Sequence, residues 1–216
     1  HYATGPLANG TYRIAFITFF ADSRATRAHT SAYYPSSPTL AAATPVVISS
    51  PGAVERIDAT LSMGGAVSGI VRSVDGAVLA DVLVAAFDTA GVARAVGRSD
   101  AAGAYELTGL AGGPYRFGYF PRYAASAEVR RFQRSFFSGK ADLASADAVA
   151  VTVGQTVAGI DVRLSPGGAI AGTVAADSGP GLRGVVVIAF DDTGSVAAAA
   201  RTGEAGAYEL AGLPSG

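Results

Sequence analysis

Among side chains that carry chemistry, the chain is rich in Ser, Asp and Glu, has no Cys, and has two His, His1 and His29. Without Cys there can be no disulfide, thiolate nucleophile or thiolate metal site. A Ser–His–Asp triad would need one of the two His. His29 falls on Phe132 at the internal offset described below, so histidine is not part of the repeated pattern. Two histidines alone do not make a multi-histidine metal site. The carboxylates do recur: Asp58 as Asp161, Asp88 as Asp191, Glu106 as Glu209. Asp88 follows an apolar run and precedes Thr89-Ala90-Gly91, where an Asp side chain accepts turn amide hydrogens. Asp191, Asp192 and Asp177 could together offer loop oxygens to calcium. Asp192 falls on Thr89, however, so turn chemistry is the expected role. Arg98 and Glu106 flank one turn and recur as Arg201 and Glu209, which predicts a cross-strand ion pair. No catalytic set, cofactor site or metal site is expected.

The aromatic residues are the remaining binding candidates. Tyr119, Phe120, Tyr123, Phe132, Phe136 and Phe137 gather around one long connection. Tyr119, Tyr123, Phe136 and Phe137 could form a platform whose rings stack on sugar faces. Alternatively, Phe136 and Phe137 plug one end of the fold, as Tyr33 and Tyr34 would. The hydrophobic cost of exposing several rings favours the plug. Solvent exposure across 119–137 separates the two readings.

These residues must be positioned by elements that the composition constrains. Lys and Arg number 16, Asp and Glu 17, for a net charge of -1. That balance argues against a nucleic-acid or anionic-membrane partner. Charged residues are 15% of the chain, too few for solvated disorder. The 28 Gly and 10 Pro call for many turns. No apolar run approaches the roughly 20 residues of a membrane-spanning helix. The chain opens on His1, its one Met is Met63, and no basic-then-apolar leader precedes the first strand. A segment of a longer protein is the expectation.

Internal repetition organises the whole sequence. Gly64-Gly65-Ala66-Val67-Ser68-Gly69 returns as Gly167-Gly168-Ala169-Ile170-Ala171-Gly172, an offset of 103. Ala102-Gly103-Ala104-Tyr105-Glu106-Leu107 returns as Ala205-Gly206-Ala207-Tyr208-Glu209-Leu210 at the same offset. Residues 1–63 fall on 104–166 without a gap; Tyr12-Arg13 matches Tyr115-Arg116 and Ile57-Asp58 matches Ile160-Asp161. Identities number 24 in the 50 pairs from 64/167 and 18 in the 63 pairs from 1/104. The expected domains are a complete unit at 64–166, the later part of a unit at 1–63, and the earlier part of a unit at 167–216.

Within the unit, strand patterns dominate. Strands are expected at 66–73, 82–87, 92–98, 104–107, 115–119, 149–153 and 160–164. Tyr115, Phe117 and Tyr119 alternate with polar or small residues, as do Ile160, Val162 and Leu164. Seven short strands in about 100 residues is the pattern of an antiparallel β-sandwich. Residues 122–145 lack it, and the spacing of Val129, Phe132 and Phe136 predicts a turn or two of helix there. The matching 19–42 reads as less helical.

The stretch from Ala102-Gly103-Ala104-Tyr105-Glu106-Leu107 through Gly113-Pro114-Tyr115-Arg116-Phe117 resembles the signature of carboxypeptidase-regulatory-like domains. These are prealbumin-like sandwiches, similar also to the B-type repeats of collagen adhesins. Gly64-Gly65-Ala66-Val67-Ser68-Gly69-Ile70-Val71, Asp75-Gly76, Leu79-Ala80-Asp81-Val82, Phe136-Phe137-Ser138-Gly139-Lys140 and Val153-Gly154-Gln155-Thr156 fit the same family. The resemblance covers the whole chain. It implies an all-β chain of tandem seven-stranded antiparallel Greek-key β-sandwiches, prealbumin-like and of the carbohydrate-binding-like group, repeating every 103 residues. It implies a non-catalytic spacer or presenting array, secreted or at the bacterial surface, whose partners are neighbouring repeats. The alternative it implies is a carbohydrate-binding accessory module of a secreted, amylase-like polysaccharide-degrading enzyme, with polysaccharide as partner.

Two expectations follow for the intact molecule. The half-units at either end leave apolar surface and strand edges uncovered, so association between copies is expected. Adhesin B-type repeats often join a Lys to an Asn or Asp through a covalent bond. This chain has one Lys, Lys140, falling on Ser37, and one Asn, Asn9, falling on Gly112. A repeated cross-link would need repeated partners. The intact mass is therefore expected to equal the sequence mass; a deficit of one ammonia or water, with Lys140 in a branched peptide, would show the opposite.

Overall fold

The computed structural model describes residues 7–49, 54–192, 194 and 196–214. His1, one of the two histidines considered above, lies outside the described residues. The first segment holds β1 (Gly10–Tyr12), β2 (Ala15–Phe16), α1 (Arg24–Arg27), β3 (Ala32–Tyr33) and β4 (Val46–Ile48). The second holds β5 (Gly65–Ser73), β6 (Leu83–Phe87), β7 (Ala93–Arg98), β8 (Ala104–Leu110), β9 (Gly113–Phe120), α2 (Ala127–Arg130), β10 (Ser135–Phe136), β11 (Val149–Val151), β12 (Thr156–Val157) and β13 (Val162–Leu164). The third holds β14 (Gly168–Thr173), β15 (Val186–Phe190), β16 (Val196–Arg201) and β17 (Ala207–Leu213).

In the second segment two sheets share one core. The first runs β10-β9-β6-β7, with β11 also paired to β9. The second is centred on β5, which takes β8, β12 and β13 as neighbours. Alternation sets which side chains face inward. Tyr115, Phe117 and Tyr119 of β9 are buried, and so are Val67 and Val71 of β5 and Ile160, Val162 and Leu164. Each of the large ones contributes roughly 1.5–3 kcal/mol by leaving water. Tyr105 and Tyr119 reach across the core from opposite sheets, and both hydroxyls donate to the carbonyl of Ile160, at 2.5 and 3.1 Å. Burial pushes both phenols well above the ordinary tyrosine range. Gly69 makes room for this meeting point, because a Cβ there would run into the Ile160 carbonyl.

The structure departs from the sequence expectations in four places. Two further short strands, β10 and β12, join the seven expected. Pairing is not wholly antiparallel: β12 and β13 run parallel to β5. The chain leaves β11 at Val151, turns at Gly154 (φ +75°), and crosses to the other sheet, where it joins β5 in the same direction. Val153 is exposed for the same reason. The segment 19–42 is as helical as its counterpart, since α1 matches α2 residue for residue; the Ser23 hydroxyl caps it by accepting the Thr26 N–H at 3.0 Å. Finally, Arg98 does not pair with Glu106, because β7 and β8 belong to different sheets. Arg98 pairs with Asp81 at 2.7 Å and Glu106 with Arg24 at 2.7 Å.

Strand pairings recur at the offset of 103. In the β6–β7 hairpin Leu83 faces Arg98, and in β15–β16 Val186 faces Arg201. Both hairpins shift register at the same place, Ala86/Phe87 and Ala189/Phe190. Val149 faces Tyr115 between β11 and β9, as Val46 faces Tyr12 between β4 and β1.

Asp88 sits where its turn role was expected. Its Oδ1 accepts the Ala90 and Val92 N–H groups, each at 2.9 Å, and its Oδ2 accepts Arg94 Nε at 2.6 Å. Burial pushes this carboxyl up, but the hydrogen bonds from Val92, Arg94 and Ala90 outweigh it, and its pKa lies below the ordinary value. Such a group stabilises the fold above the unfolded-state value of about 3.9, and loses that contribution as pH falls through the folded value. Asp88→Asn should therefore unfold at a lower temperature than the parent at pH 7. The gap should narrow below about pH 4; a gap independent of pH, measured by thermal melts from pH 7 to 2, would refute the assignment.

Candidate functional site

The four residues of the possible sugar platform do not share an accessible face. Tyr119 is 0% exposed and Phe136 7%. Phe137 is half-buried against the core. Tyr123 alone is open, at 48%. Phe120 packs edge-on to Phe136 at 5.8 Å, while Arg122 lies over the Tyr123 ring at 4.7 Å. A stacking platform needs bare ring faces, and Phe120 and Phe136 instead pack over Gly118, where a Cβ would come within 2.7 and 3.0 Å of their rings.

The other candidates are equally occupied by structure. His29 Nδ1 lies 3.0 Å from the Ala25 carbonyl. Asp191 is 3.9 Å from Arg134. Among the described residues no cluster of three His, Asp or Glu could hold a metal ion. No helix among them is long and apolar enough to cross a membrane.

What the structure does build, twice, is a backbone clasp between successive segments. At the first junction the chain after α1 runs beside the start of β5. Thr30 N–H donates to Ser62 O and Gly64 N–H to Ala28 O, both at 2.8 Å, and His29 bridges Met63. The bulged part of β8 packs against the same turn. Gly109 (φ +74°) lies there, and a Cβ on it would strike the carbonyls of Arg27 and His29. Gly64 packs on Gly109 in turn, its Cβ position 2.5 Å from the Gly109 carbonyl carbon.

The second junction repeats this arrangement. Gln133 N–H donates to Ser165 O at 2.9 Å, Gly167 N–H to Arg131 O at 2.8 Å, and Phe132 bridges Pro166. Gly212 (φ +73°) would place a Cβ 2.6 Å from the carbonyls of Arg130 and Phe132, and Gly167 packs on Gly212 at 2.5 Å. Two constraints therefore act on one residue: a left-handed backbone, which costs a non-glycine residue about 1–2 kcal/mol, and a neighbouring main chain at contact distance. Only glycine meets both.

Side-chain contacts differ between the junctions. At the first, Arg24 donates two hydrogen bonds to Glu106, at 2.7 and 2.9 Å, and the Thr108 hydroxyl donates to Arg27 O at 3.0 Å. The corresponding residues at the second are Ala127, Glu209 and Ala211, which cannot reproduce these bonds. The second instead has Arg122 donating to Val196 O at 2.8 Å and Arg134 near Asp191. Beside the first clasp an open groove of about 350 Å³ is lined by Arg24, Met63, Glu106, Thr108 and Gln155. Its two charged groups already satisfy each other.

Sequence reasoning did not single out Gly109, Gly212, Arg24 or Thr108. The signal for the glycines was present: each interrupts a strand pattern at the same place in its repeat, which marks a bulge or a close backbone approach. Nothing marked Arg24, whose partner lies 82 residues away.

No protein-family model matches the chain, and no curated protein matches it. Among solved structures it is similar to the Bacillus anthracis TIE protein, at 15% identity and TM-score 0.34 over 68% of this chain and 25% of that one. It is similar to a Streptococcal ancillary pilin, at 15% identity and TM-score 0.35 over 97% of this chain and 65% of that one. It is also similar to the minor pilin of Streptococcus agalactiae, at 13% identity and TM-score 0.35 over 76% and 63% of the respective chains. The chain thus spans from a quarter to under two thirds of their lengths.

The clasp predicts a selective response. Gly109→Ala should speed amide hydrogen exchange at Thr30 and Gly64 by roughly tenfold or more, the equivalent of about 1.4 kcal/mol, with β6 and β9 unaffected. Glu106→Gln should change the same amides little, and less at high salt. Equal effects from both variants would mean that the ion pair, not the backbone contact, holds the junction.

Proposed function

We propose that this chain is a non-catalytic structural array that holds or presents other domains outside the bacterial cell. In this reading the units are tandem seven-stranded Greek-key sandwiches of 103 residues, extended at their edges by short extra strands. Their partners are neighbouring units of the same array. The single observation that carries the reading is the recurring clasp. Two junctions with different side chains keep the same backbone hydrogen bonds and the same glycine contact. A spacer requires that successive units meet in a reproducible way, and a contact made by main chain survives side-chain divergence. The motifs resembling carboxypeptidase-regulatory-like domains support an extracellular setting. The polar side chains near the junctions are engaged in holding segments together, which leaves them no evident chemistry.

The test uses the absence of cysteine. Spin labels on Ala41→Cys, Ala101→Cys and Ala205→Cys, taken in pairs, report the distance across each junction. Narrow distance distributions are expected in the parent, broadening across the first junction with Gly109→Ala and across the second with Gly212→Ala. Broad distributions in the parent would end the spacer reading. Retention on an insoluble glucan, lost in Tyr123→Ala, would favour the carbohydrate-binding alternative.

A further inference from the structure

The chain enters the unit 65–164 through β5 and leaves it through β13, and these two strands lie side by side. β13 pairs parallel to the later part of β5, with Val162 facing Val71 and Leu164 facing Ser73. β12 pairs parallel to the beginning of β5, with Thr156 facing Ala66 and Val157 facing Val67. Entry and exit therefore sit at opposite ends of one ladder: the chain comes in at Gly65 and goes out beside Ser73. An antiparallel pair would put both at the same end.

Hydrogen bonds follow this edge of β5 along its whole length. Gly154 N–H donates to Gly64 O at 3.2 Å, Ala66 N–H to Gln155 O at 2.8 Å, Ile160 N–H to Ser68 O at 3.1 Å, and Val74 N–H to Leu164 O at 3.0 Å. Between the two short strands the Asp161 carboxylate bridges the gap, accepting Ile70 N–H at 2.8 Å. The Ile160 carbonyl, which takes the hydroxyls of Tyr105 and Tyr119, pins the same stretch from the core side. The other edge of β5 is held by β8.

We propose that this ladder is a shear clamp, and that bearing tension along the chain is a further function of the unit. Tension on the chain before Gly64 draws β5 toward its own start. Tension on the chain after Ser165 draws β13 toward its own end. Because the two strands are parallel, they are then pulled past each other. The hydrogen bonds from Gly64 to Val74 share that load and cannot open one by one from an end. Drawing β5 out also requires the ladder to β8 to give, and sliding 156–164 requires the buried tyrosine bonds to Ile160 to break. Resistance of this kind is governed by the rate of forced unfolding and not by equilibrium stability. The inference goes beyond the spacer reading and does not rest on it: a spacer can hold units in fixed relation without resisting a pull.

The experiment pulls single molecules of the full chain in two directions, with handles on introduced cysteines. Ser62→Cys with Ser165→Cys loads the entry and the exit of the unit. Ser62→Cys with Ala111→Cys loads β5 and β8 at the end where Gly65 faces Leu110, so that pair opens from one end. All three sites are exposed, so no core is disturbed. At equal loading rate the first geometry should rupture at a several-fold higher force than the second. Asp161→Ala should lower the first force and leave the second nearly unchanged, and Asp161→Asn, which keeps the acceptor, should retain it. Asp88→Asn, whose bonds lie in the β6–β7 turn, should lower the melting temperature at pH 7 without lowering the first force. Equal forces in the two directions overturn the inference, as does a loss from Asp161→Ala of equal size in both. A first force that falls as much with Asp88→Asn as with Asp161→Ala overturns it too. Spin-label distances are measured without load, so the clamp and the spacer reading fail separately.

Discussion

The arrangement of this chain depends on main chain touching main chain at two glycines. Gly109 and Gly212 each combine a left-handed φ with carbonyls of the preceding segment at contact distance. Each also receives a second glycine, Gly64 or Gly167, from the strand beside it. A methyl group at any of these four positions meets backbone, which cannot rotate aside as a side chain can. The hydrogen bonds of the junctions, from Gly64 and Gly167 amides to carbonyls just after each helix, become possible only at this separation.

That constraint explains why the side chains around it are free to differ. Arg24, Glu106 and Thr108 add an ion pair and a hydrogen bond at one junction, and Arg122 and Arg134 add unrelated contacts at the other. Exposed ion pairs gain little over their hydration and are screened by salt. They adjust the strength of a contact whose geometry is already determined. The four-residue helices serve the same end: each turns the chain so that its last carbonyls point at the glycine of the next segment.

Inside the sandwich the organising feature is the Ile160 carbonyl, which takes hydroxyls from both sheets. A buried carbonyl without donors would be costly, and two phenols buried without acceptors would be costlier still. Their mutual satisfaction ties β8 to β9 and both to the returning chain that becomes β13. Gly69 opens the space for it, so this core too relies on a missing side chain. The aromatic residues near the long connection belong to the same economy of burial: Phe136 and Phe120 pack edge to face rather than offering their faces to a ligand.

Much of this was legible in the amino-acid order. The offset of 103 carried the hairpin register, with Leu83 facing Arg98 and Val186 facing Arg201, although β14 is shorter than β5 and the counterpart of β9 is split into β1 and β2. Alternation named Tyr115, Phe117, Tyr119, Ile160, Val162 and Leu164 as core, and Asp88 with its Gly91 declared a turn through local hydrogen bonding alone. What alternation cannot state is which edges meet. Arg98 and Glu106 flank one turn yet lie in different sheets, and β12 and β13 join β5 in parallel after crossing between sheets. Periodicity reports the face a residue shows, whereas partners are chosen by packing across scores of residues. Gly109 breaks its strand pattern in the sequence itself, but Arg24 finds Glu106 and Gly109 finds Arg27 and His29 only once the segments have folded, so the partners at the junction were decided by tertiary structure.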